Sequence, residues 1–534
     1  MNTLDQAKEL FLTALQHQNQ GELEQAESLY RKALELAPDR PSVINNLAAV
    51  LLQLKRYGEA KSWCEKLLAQ DPGNVIALLN FGNCRLLLHS AEEALKSYDD
   101  ALAIDPRHVE ALNSRSKALM DLGRPAEALA SCDQALAIQP DRAEVLSNRG
   151  GALEGLNRHA EALASYDRAV AVNPDYAEAY YNRGNVLRNL TRYQEALASY
   201  GRALTIKPDY VEAHWNESLC RLLIGDFAKG WEKHEWRWRN EQGRITRRDF
   251  PQPLWDGKYV DGVLLAWGEQ GLGEQILHAG MLDELCRRAR RLVVEVDPRL
   301  VNLFRRSFPA MEVVAQRGNY GAIGIDVHVP MGSIGRYFRN RWEDFPLREA
   351  GYLIPDGEFS IGLRKRLAGN GRLVVGLSWF SKMNRVGEDK SVPLREFGPI
   401  LRLSGTGFVD LQYGDTRDER SAVAKLTSAQ LIHVDEVDNE LDIDGLAALI
   451  SACDAVVTVS NTTAHIAGAV GKPVYLLLPH ALPTHWYWHI DRDRSPWYPT
   501  VRLFRQPAAG DWDSVIRRVA EELAQASSPL VGED

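Results

Sequence analysis

The sequence predicts a helical-repeat superhelix followed by two doubly wound α/β domains that face each other across a cleft. Pro38, Pro72, Pro106, Pro140, Pro174 and Pro208 stand 34 residues apart without slippage, so the first part of the chain is a tandem array of one unit. Beyond Asp261 the pattern changes to short apolar runs alternating with helical stretches, the signature of parallel strands with crossover helices. Between the two lies a segment dense in tryptophan and charge. A chain of 534 residues with ordinary apolar and charged fractions exceeds what one core organises, so several domains are expected.

A 34-residue unit holds two antiparallel helices and their turns, and it is too small to bury its own apolar face, so units must stack. Ala26, Ala60, Ala94, Ala128, Ala162 and Ala196 are small residues where second helices touch their neighbours. Ala14, Ala48, Gly82, Ser116, Gly150 and Gly184 take the opposing place on first helices. Each proline then stops a second helix. With units such as AEAYYNRGNVLRNLTRYQEALASYGRALTIKP, residues 1–240 resemble the tetratricopeptide repeat family, which implies a superhelix whose first helices line its concave side. One phase there carries Asn46, Asn80, Asn148, Asn182 and Asn216, with Ser114 in the repeat that lacks it. A primary amide offers donor and acceptor together, so such a ladder could grip the backbone of an extended peptide; equally, each amide could bond a neighbouring turn. The arrangement resembles the inner ladder of the protein O-GlcNAc transferases, which implies a protein acceptor in the groove.

Composition excludes some partners. The net charge of −9, with no run of Lys and Arg outweighing nearby carboxylates, argues against nucleic acid. The six cysteines form no CxxC, and Cys64 and Cys132 replace a core residue that is Tyr30, Tyr98, Tyr166 and Tyr200 in other units, so they read as buried thiols. The start, MNTLDQAKELFLTAL, is amphipathic and lacks the pattern of a secretory signal, and no 18-residue apolar stretch occurs later in the chain; the expectation is a cytoplasmic protein without a membrane span. Trp231, Trp236, Trp238 and Trp255 crowd the junction, whose linker is read as 241–260. They could cap the last repeat and dock it on the next domain, or form a platform for stacking sugars.

GVLLAW, RLVVEV and DVHVP read as strands of a first domain, 261–355. RLVVGLSW, GFVDLQY, LIHV, AVVTVS and PVYLLL read as strands of a second, 356–534, and YLIPDGEFSIGLRKRLAGNG between the sets reads as a hinge. A ligand then belongs at the carboxyl ends of both sheets. In VSNTTAHIAGAVGKPVYLLL a strand and polar turn open a helix, where free N–H groups, the helix dipole and hydroxyls of Ser460, Thr462 and Thr463 favour a phosphate, although Asn461 and its neighbours are also ordinary helix caps. In WGEQGLGEQILHAGMLDEL, Gly268, Gly271 and Gly273 allow close backbone approach, and Glu274 and His278 follow on one helix face; attraction of Glu274 to the helix dipole is the plain alternative. In GLSWFSKMNRVGEDKSVPL a strand ends at Ser378 and Trp379, and Lys382, Arg385 and Lys390 follow, cations able to neutralise a departing diphosphate. The DxD triplets at Asp442 and Asp491 carry little weight, because the first opens a helix where acids suit the dipole, and no metal site is expected.

These three blocks resemble the heptosyltransferase-like glycosyltransferases of the fold called GT-B, built from two Rossmann-like domains. The resemblance implies that Ser378, Lys382, Arg385, Ser460, Asn461, Thr462, Thr463 and His465 hold a nucleotide-sugar donor, with no cofactor beyond it. It implies Glu274 as the base that takes the acceptor's proton, with Glu269 and His278 as alternatives. The W-rich tail HALPTHWYWHIDRDRSPWYPTVRLFRQ also matches, and reads as packing between the domains or as a stacking surface. Repeats joined to such domains resemble the bacterial enzymes that glycosylate flagellin, often with a nonulosonic acid. The implied function is metal-independent, inverting transfer of a sugar to Ser or Thr of a flagellin-like protein. A catalytically silent adaptor, or transfer to lipid or polysaccharide, is the alternative reading.

Overall fold

The computed structural model describes residues 3–239, 248–316, 323–345, 350–369, 372–382, 389–480 and 485–527. It parts into two compact units, Met1–Pro208 and Asp209–Asp534.

The first unit is a run of antiparallel helix pairs: α1 (Thr3–Asn19) with α2 (Leu23–Leu36), α3 (Pro41–Gln53) with α4 (Tyr57–Gln70), α5 (Val75–Leu87) with α6 (Ala91–Ile104), α7 (Val109–Asp121) with α8 (Pro125–Ile138), α9 (Ala143–Gly155) with α10 (His159–Val172), and α11 (Ala177–Asn189) with α12 (Tyr193–Ile206). Every second helix ends two residues before its periodic proline, since the residue preceding proline is driven out of the helical region. The small residues set how closely the helices of a pair approach. A Cβ on Gly82, Gly150 or Gly184 would fall 2.5–2.6 Å from the ring of Tyr98, Tyr166 or Tyr200. Where the first helix carries Ala48 or Ser116 instead, the residue at the opposing phase is Cys64 or Cys132, while the first pair keeps Tyr30 opposite Ala14. All six cysteines are free thiols.

Arginines fasten repeat to repeat. Arg149 on α9 donates to Asp133 on α8 at 2.7 Å and to Ser165 on α10 at 2.7 Å, and Arg115 and Arg183 repeat the pattern one unit away on each side. Each turn within a pair passes through a left-handed residue: Gly21, Lys55, His89, Gly123, Asn157 and Thr191. Glycine and asparagine suit that backbone; Thr191 at φ 60° does not, because its branched Cβ crowds the following carbonyl.

The sequence reads as repeats to residue 240, but the compact units part at Pro208. Helices α13 (Val211–Leu223) and α14 (Phe227–His234) therefore belong with the sheets. The reason is aromatic. Trp231 is buried against Gly335, where a Cβ would sit 2.3 Å from its ring, and its indole N–H donates to the Arg339 carbonyl at 2.7 Å. Of the 241–260 linker, the structure describes only residues from 248, and there Trp255 is buried with its N–H on the Lys258 carbonyl.

The first sheet has the order β3-β2-β1-β4, from β1 (Val260–Trp267), β2 (Ala289–Val296), β3 (Glu312–Ala315) and β4 (Val327–Pro330), all parallel. Helices α15 (Leu272–Ala279), α16 (Leu282–Cys286), α17 (Val301–Ser307) and α18 (Gly335–Phe338) accompany it. The second has the order β10-β9-β8-β5-β6-β7, from β5 (Leu373–Ser378), β6 (Thr406–Asp410), β7 (Leu431–Ile432), β8 (Ala455–Val459), β9 (Val474–Leu478) and β10 (Val501–Arg505), again parallel. With it come α19 (Gly357–Ala368), α20 (Gly398–Leu401), α21 (Arg417–Thr427), α22 (Ile443–Ala452), α23 (Thr462–Val470) and α24 (Trp512–Ser527). The stretch read as a hinge folds into α19, capped by Asp356, whose carboxylate accepts from the Phe359 N–H at 2.9 Å. Strand order reverses between β1 and β4 in one sheet and between β5 and β8 in the other, and parallel sheets place their ligands at such points.

Replacing Thr191 by Gly is expected to raise the unfolding free energy by about 0.5–1 kcal/mol, the relief of left-handed strain less the entropy glycine adds to the unfolded chain. Urea titration followed by circular dichroism measures it, and a loss of stability would contradict the strain.

Candidate functional site

A cleft of about 460 Å³ opens at these reversal points, lined from the first sheet by Gly271–Glu274 and Arg299 and from the second by Ser381, Lys382, Lys390, Tyr413, Asn439, Glu440 and Ser460–Thr463. Its size suits a nucleotide-scale ligand. The walls meet because α15 and α23 touch. Gly273 lies against the His465 imidazole so closely that a Cβ there would sit 2.8 Å from Cδ2, and the Tyr352 and Leu353 N–H groups share the Ala469 carbonyl at 2.8 and 2.9 Å.

Glu274 stands in the first turn of α15 and lines the cleft. It is deep enough that desolvation raises its pKa; its own backbone N–H and Lys390 pull the other way. Lys390 is buried, and desolvation lowers its pKa to about 8 against the attraction of Glu274. Its ammonium donates to His485 Nε2 at 2.9 Å. Burial drives the pKa of His485 down to about 3, so the ring is neutral and accepts that bond. His465 is neutral for the same reason, its Nδ1 2.9 Å from the Tyr498 hydroxyl. The cleft thus sets one deep cation beside one deep carboxylate, among uncharged rings.

The residues singled out in the sequence divide into two groups by position. Glu274, Lys382, Ser460, Asn461, Thr462, Thr463 and His465 come together around the cleft. Lys382 is exposed there and pairs with Glu440 at 2.8 Å. Asn461 caps α23, accepting from the Ala464 N–H at 3.3 Å, and its amide donates to Ser378 at 2.8 Å and to the Phe380 carbonyl at 3.2 Å. The Ser460 hydroxyl receives the Trp488 indole N–H at 2.8 Å. Ser378 is fully buried, donating to Gln412 at 3.0 Å, and Gln412 also takes the Trp379 and Phe380 N–H groups. Asn461 thus fastens the end of β8 to that of β5, Ser378 ties β5 to the loop after β6, and Ser460 ties β8 to the tail, while at the start of α23 Thr462 and Thr463 line the cleft beside them. Arg385 lies outside the described residues.

Glu269 and His278 sit elsewhere. Glu269 is buried in an ion pair with Arg237 at 2.9 Å, and desolvation raises its pKa to about 7 against the arginine's pull. His278, one turn further along α15, is buried, its pKa lowered to about 3 by desolvation. Among the asparagines, Asn80 is buried and donates to the Asn45 carbonyl at 3.2 Å, and Asn148 donates to the Asn113 side chain at 2.6 Å, so these two bond the preceding repeat. Asn46 and Asn182 are half-buried in the first unit, and Asn216 stands on α13 in the second. Of the DxD residues, Asp442 caps α22 through the Gly445 N–H and Asp444 pairs with Arg306. The described residues contain no group of three or more His, Cys, Asp or Glu placed to hold a metal, and no helix among them is long and apolar enough to cross a membrane. The tail packs, with Trp486 edge-on to Trp231 and Trp497 edge-on to Phe345, while Tyr487 reaches the cleft.

Sequence reasoning missed Arg299, Tyr413, Asn439 and Glu440, which follow β2, β6 and β7, and His485 and Tyr487 from the tail. Arg299 and Asn439 carry a weak signal, since each follows a strand's carboxyl end. Lys390 is visible in the sequence as a cation, but nothing local marks its burial.

The tetratricopeptide repeat family matches residues 17–81, 88–143 and 148–211, so this part of the chain carries tetratricopeptide repeats. Protein FlbA of Caulobacter vibrioides is 31% identical over 324 residues, covering 57% of this chain and 53% of that protein, so the match spans about half of the curated relative. Among solved structures, a tetratricopeptide repeat protein of Parabacteroides merdae is 18% identical over 45% of this chain and 95% of its own, with a TM-score of 0.37. A thermophilic repeat protein of Thermus thermophilus is 24% identical over 34% of this chain and 98% of its own, with a TM-score of 0.32.

Because Lys390 loses its charge as pH rises through about 8, the cleft's affinity for inorganic pyrophosphate is expected to weaken between pH 7 and 9. Calorimetry on the wild type and on Lys390→Met, whose difference cancels the probe's own protonation, should show a Lys390-dependent loss of about threefold to tenfold. Parallel pH profiles in the two proteins would contradict this.

Proposed function

We propose that the chain transfers a sugar from a nucleotide-sugar donor to a Ser or Thr hydroxyl of a protein held by its repeats. The observation that carries the reading is that Glu274 and Lys390 line one cleft at the carboxyl ends of two parallel sheets, near enough for each to pull on the other's charge. The two sheet lobes are read as the Rossmann-like halves of a GT-B enzyme, the second binding the nucleotide and the first facing the acceptor.

Glu274, with its basicity raised by burial, takes the proton from the acceptor hydroxyl as the oxygen attacks the anomeric carbon. The bond from that carbon to the phosphate oxygen breaks, and its electron pair leaves with the nucleotide. Lys390 and Lys382, with the backbone N–H groups at the start of α23, meet the charge that develops there; Arg385, outside the described residues, is given the same part on the sequence resemblance alone. These cations supply the stabilisation that a metal gives elsewhere, so a metal-independent displacement with inversion is proposed. A flagellin-like acceptor and a nonulosonic acid donor rest on the resemblance read in the sequence.

The second reading is a repeat adaptor whose cleft is silent. It is favoured by the tetratricopeptide repeats over residues 17–211, units whose stacking presents an extended binding surface. A calorimetric panel of UDP, CMP, GDP and ADP sugars separates the two, since an adaptor binds none. Under the transferase reading, Glu274→Gln lowers kcat about 10²- to 10⁴-fold at saturating donor while donor binding persists. Undiminished transfer by Glu274→Gln would remove Glu274 as the base.

A further inference from the structure

Arg237 lies in the short turn Glu235–Arg239 that follows α14, outside both sheets, and its side chain is 1% exposed. One guanidinium nitrogen donates to both Glu269 oxygens, at 2.9 and 3.2 Å, and to the Ser333 hydroxyl at 2.7 Å. The other meets the His234 carbonyl at 3.1 Å and Glu235 at 2.9 Å. The Trp238 ring covers the guanidinium at 4.3 Å.

Glu269 stands in the loop 268–271 that joins β1 to α15, five residues before Glu274. The rest of that loop is tied within its own lobe: Gln316 donates to the Gly268 carbonyl, and Gln275 donates to the Gln270 carbonyl, each at 2.9 Å. Glu269 alone among these is held by a charge from the segment after α14. Its position is tight, because a Cβ on Gly332 would fall 1.9 Å from its Oε1. A buried ion pair of this kind, with one guanidinium nitrogen reaching both carboxylate oxygens, fixes orientation as much as it adds energy.

We infer that Arg237 is a positioning residue for the proposed transfer, a strut through which the segment following α14 sets the loop that presents Glu274 to the cleft. The inference rests on the transferase reading only for its consequence in turnover; the strut itself is a property of the loop. Replacing Arg237 by Gln does not strand a buried charge, since burial already carries the Glu269 pKa to about 7 and the carboxyl takes up a proton once its partner is gone.

The test uses the full-length chain, wild type and Arg237→Gln, with two readouts. Amide hydrogen exchange is expected to quicken at least about tenfold over residues 268–276 while β1, β5 and β8 keep their protection. Steady-state transfer is expected to lose at least about tenfold in kcat with the donor KM held within about twofold, the mark of misplaced chemistry rather than lost binding. Wild-type protection of the loop in Arg237→Gln overturns the inference, as does a loss carried by KM with kcat unchanged. If the wild type transfers no sugar from any donor, the transferase reading falls and the exchange result still decides the strut. Should Arg237→Gln fail to fold, Glu269→Gln, which keeps shape and cuts the ion pair, must loosen the same loop; an unaltered loop there overturns the strut as well.

Discussion

The contact of Gly273 with His465 is the constraint on which the cleft depends. It brings the starts of two helices, α15 and α23, together at the strand-order reversals of two sheets. A side chain at 273 would force the helices apart, and the space between Glu274 and Thr462 would change with them. Around this point the neutral His465 ring is held by Tyr498 and stacks on Trp488, at 5.2 Å between centroids, so the contact is backed by a packed aromatic wall. Tyr352 and Leu353 clasp the other end of α23. The cleft is therefore built from the meeting of rigid elements.

Electrostatics follows from that closure. Desolvation acts in opposite directions on the two deep charges, raising Glu274 and lowering Lys390, and their mutual attraction resists both shifts. Each keeps the other ionised more than burial alone would allow. The surrounding histidines are neutral, which leaves the charge pattern to a few groups. A ligand bringing a hydroxyl to Glu274 and a phosphate to Lys390 matches the pattern; an apolar ligand wastes it. The repeats form a separate compact unit whose own logic is steric, set by glycine-to-tyrosine contacts and by the arginine fasteners.

Much of the fold is legible in the sequence because its signals are local. The proline period marks the repeats, and eight of the strands stand where the apolar runs lie. Strands β3 and β10 escape such a reading: EVVA is too short to show alternation, and VRLFR is hidden within an aromatic tail. The end of the first unit escapes it because α13 and α14 keep repeat-like spacing while Trp231 packs against Gly335, far along the chain. For the site, Glu274 and the start of α23 are legible as glycine-loop and capping patterns. Asn461 and Ser378 invite over-reading, since a residue that fastens two strands looks the same in sequence as one that holds a ligand. The Lys390 to His485 bond spans 95 residues and leaves no local trace.

The proposed function requires that this cleft modify a protein. Intact-mass spectrometry of the proteins that co-purify with the full-length chain, from cells expressing either the wild type or Glu274→Gln, tests it most directly. The predicted result is one acceptor whose mass exceeds its sequence mass by whole sugar residues with the wild type and returns to the sequence mass with Glu274→Gln. An acceptor of the same mass in both would contradict it.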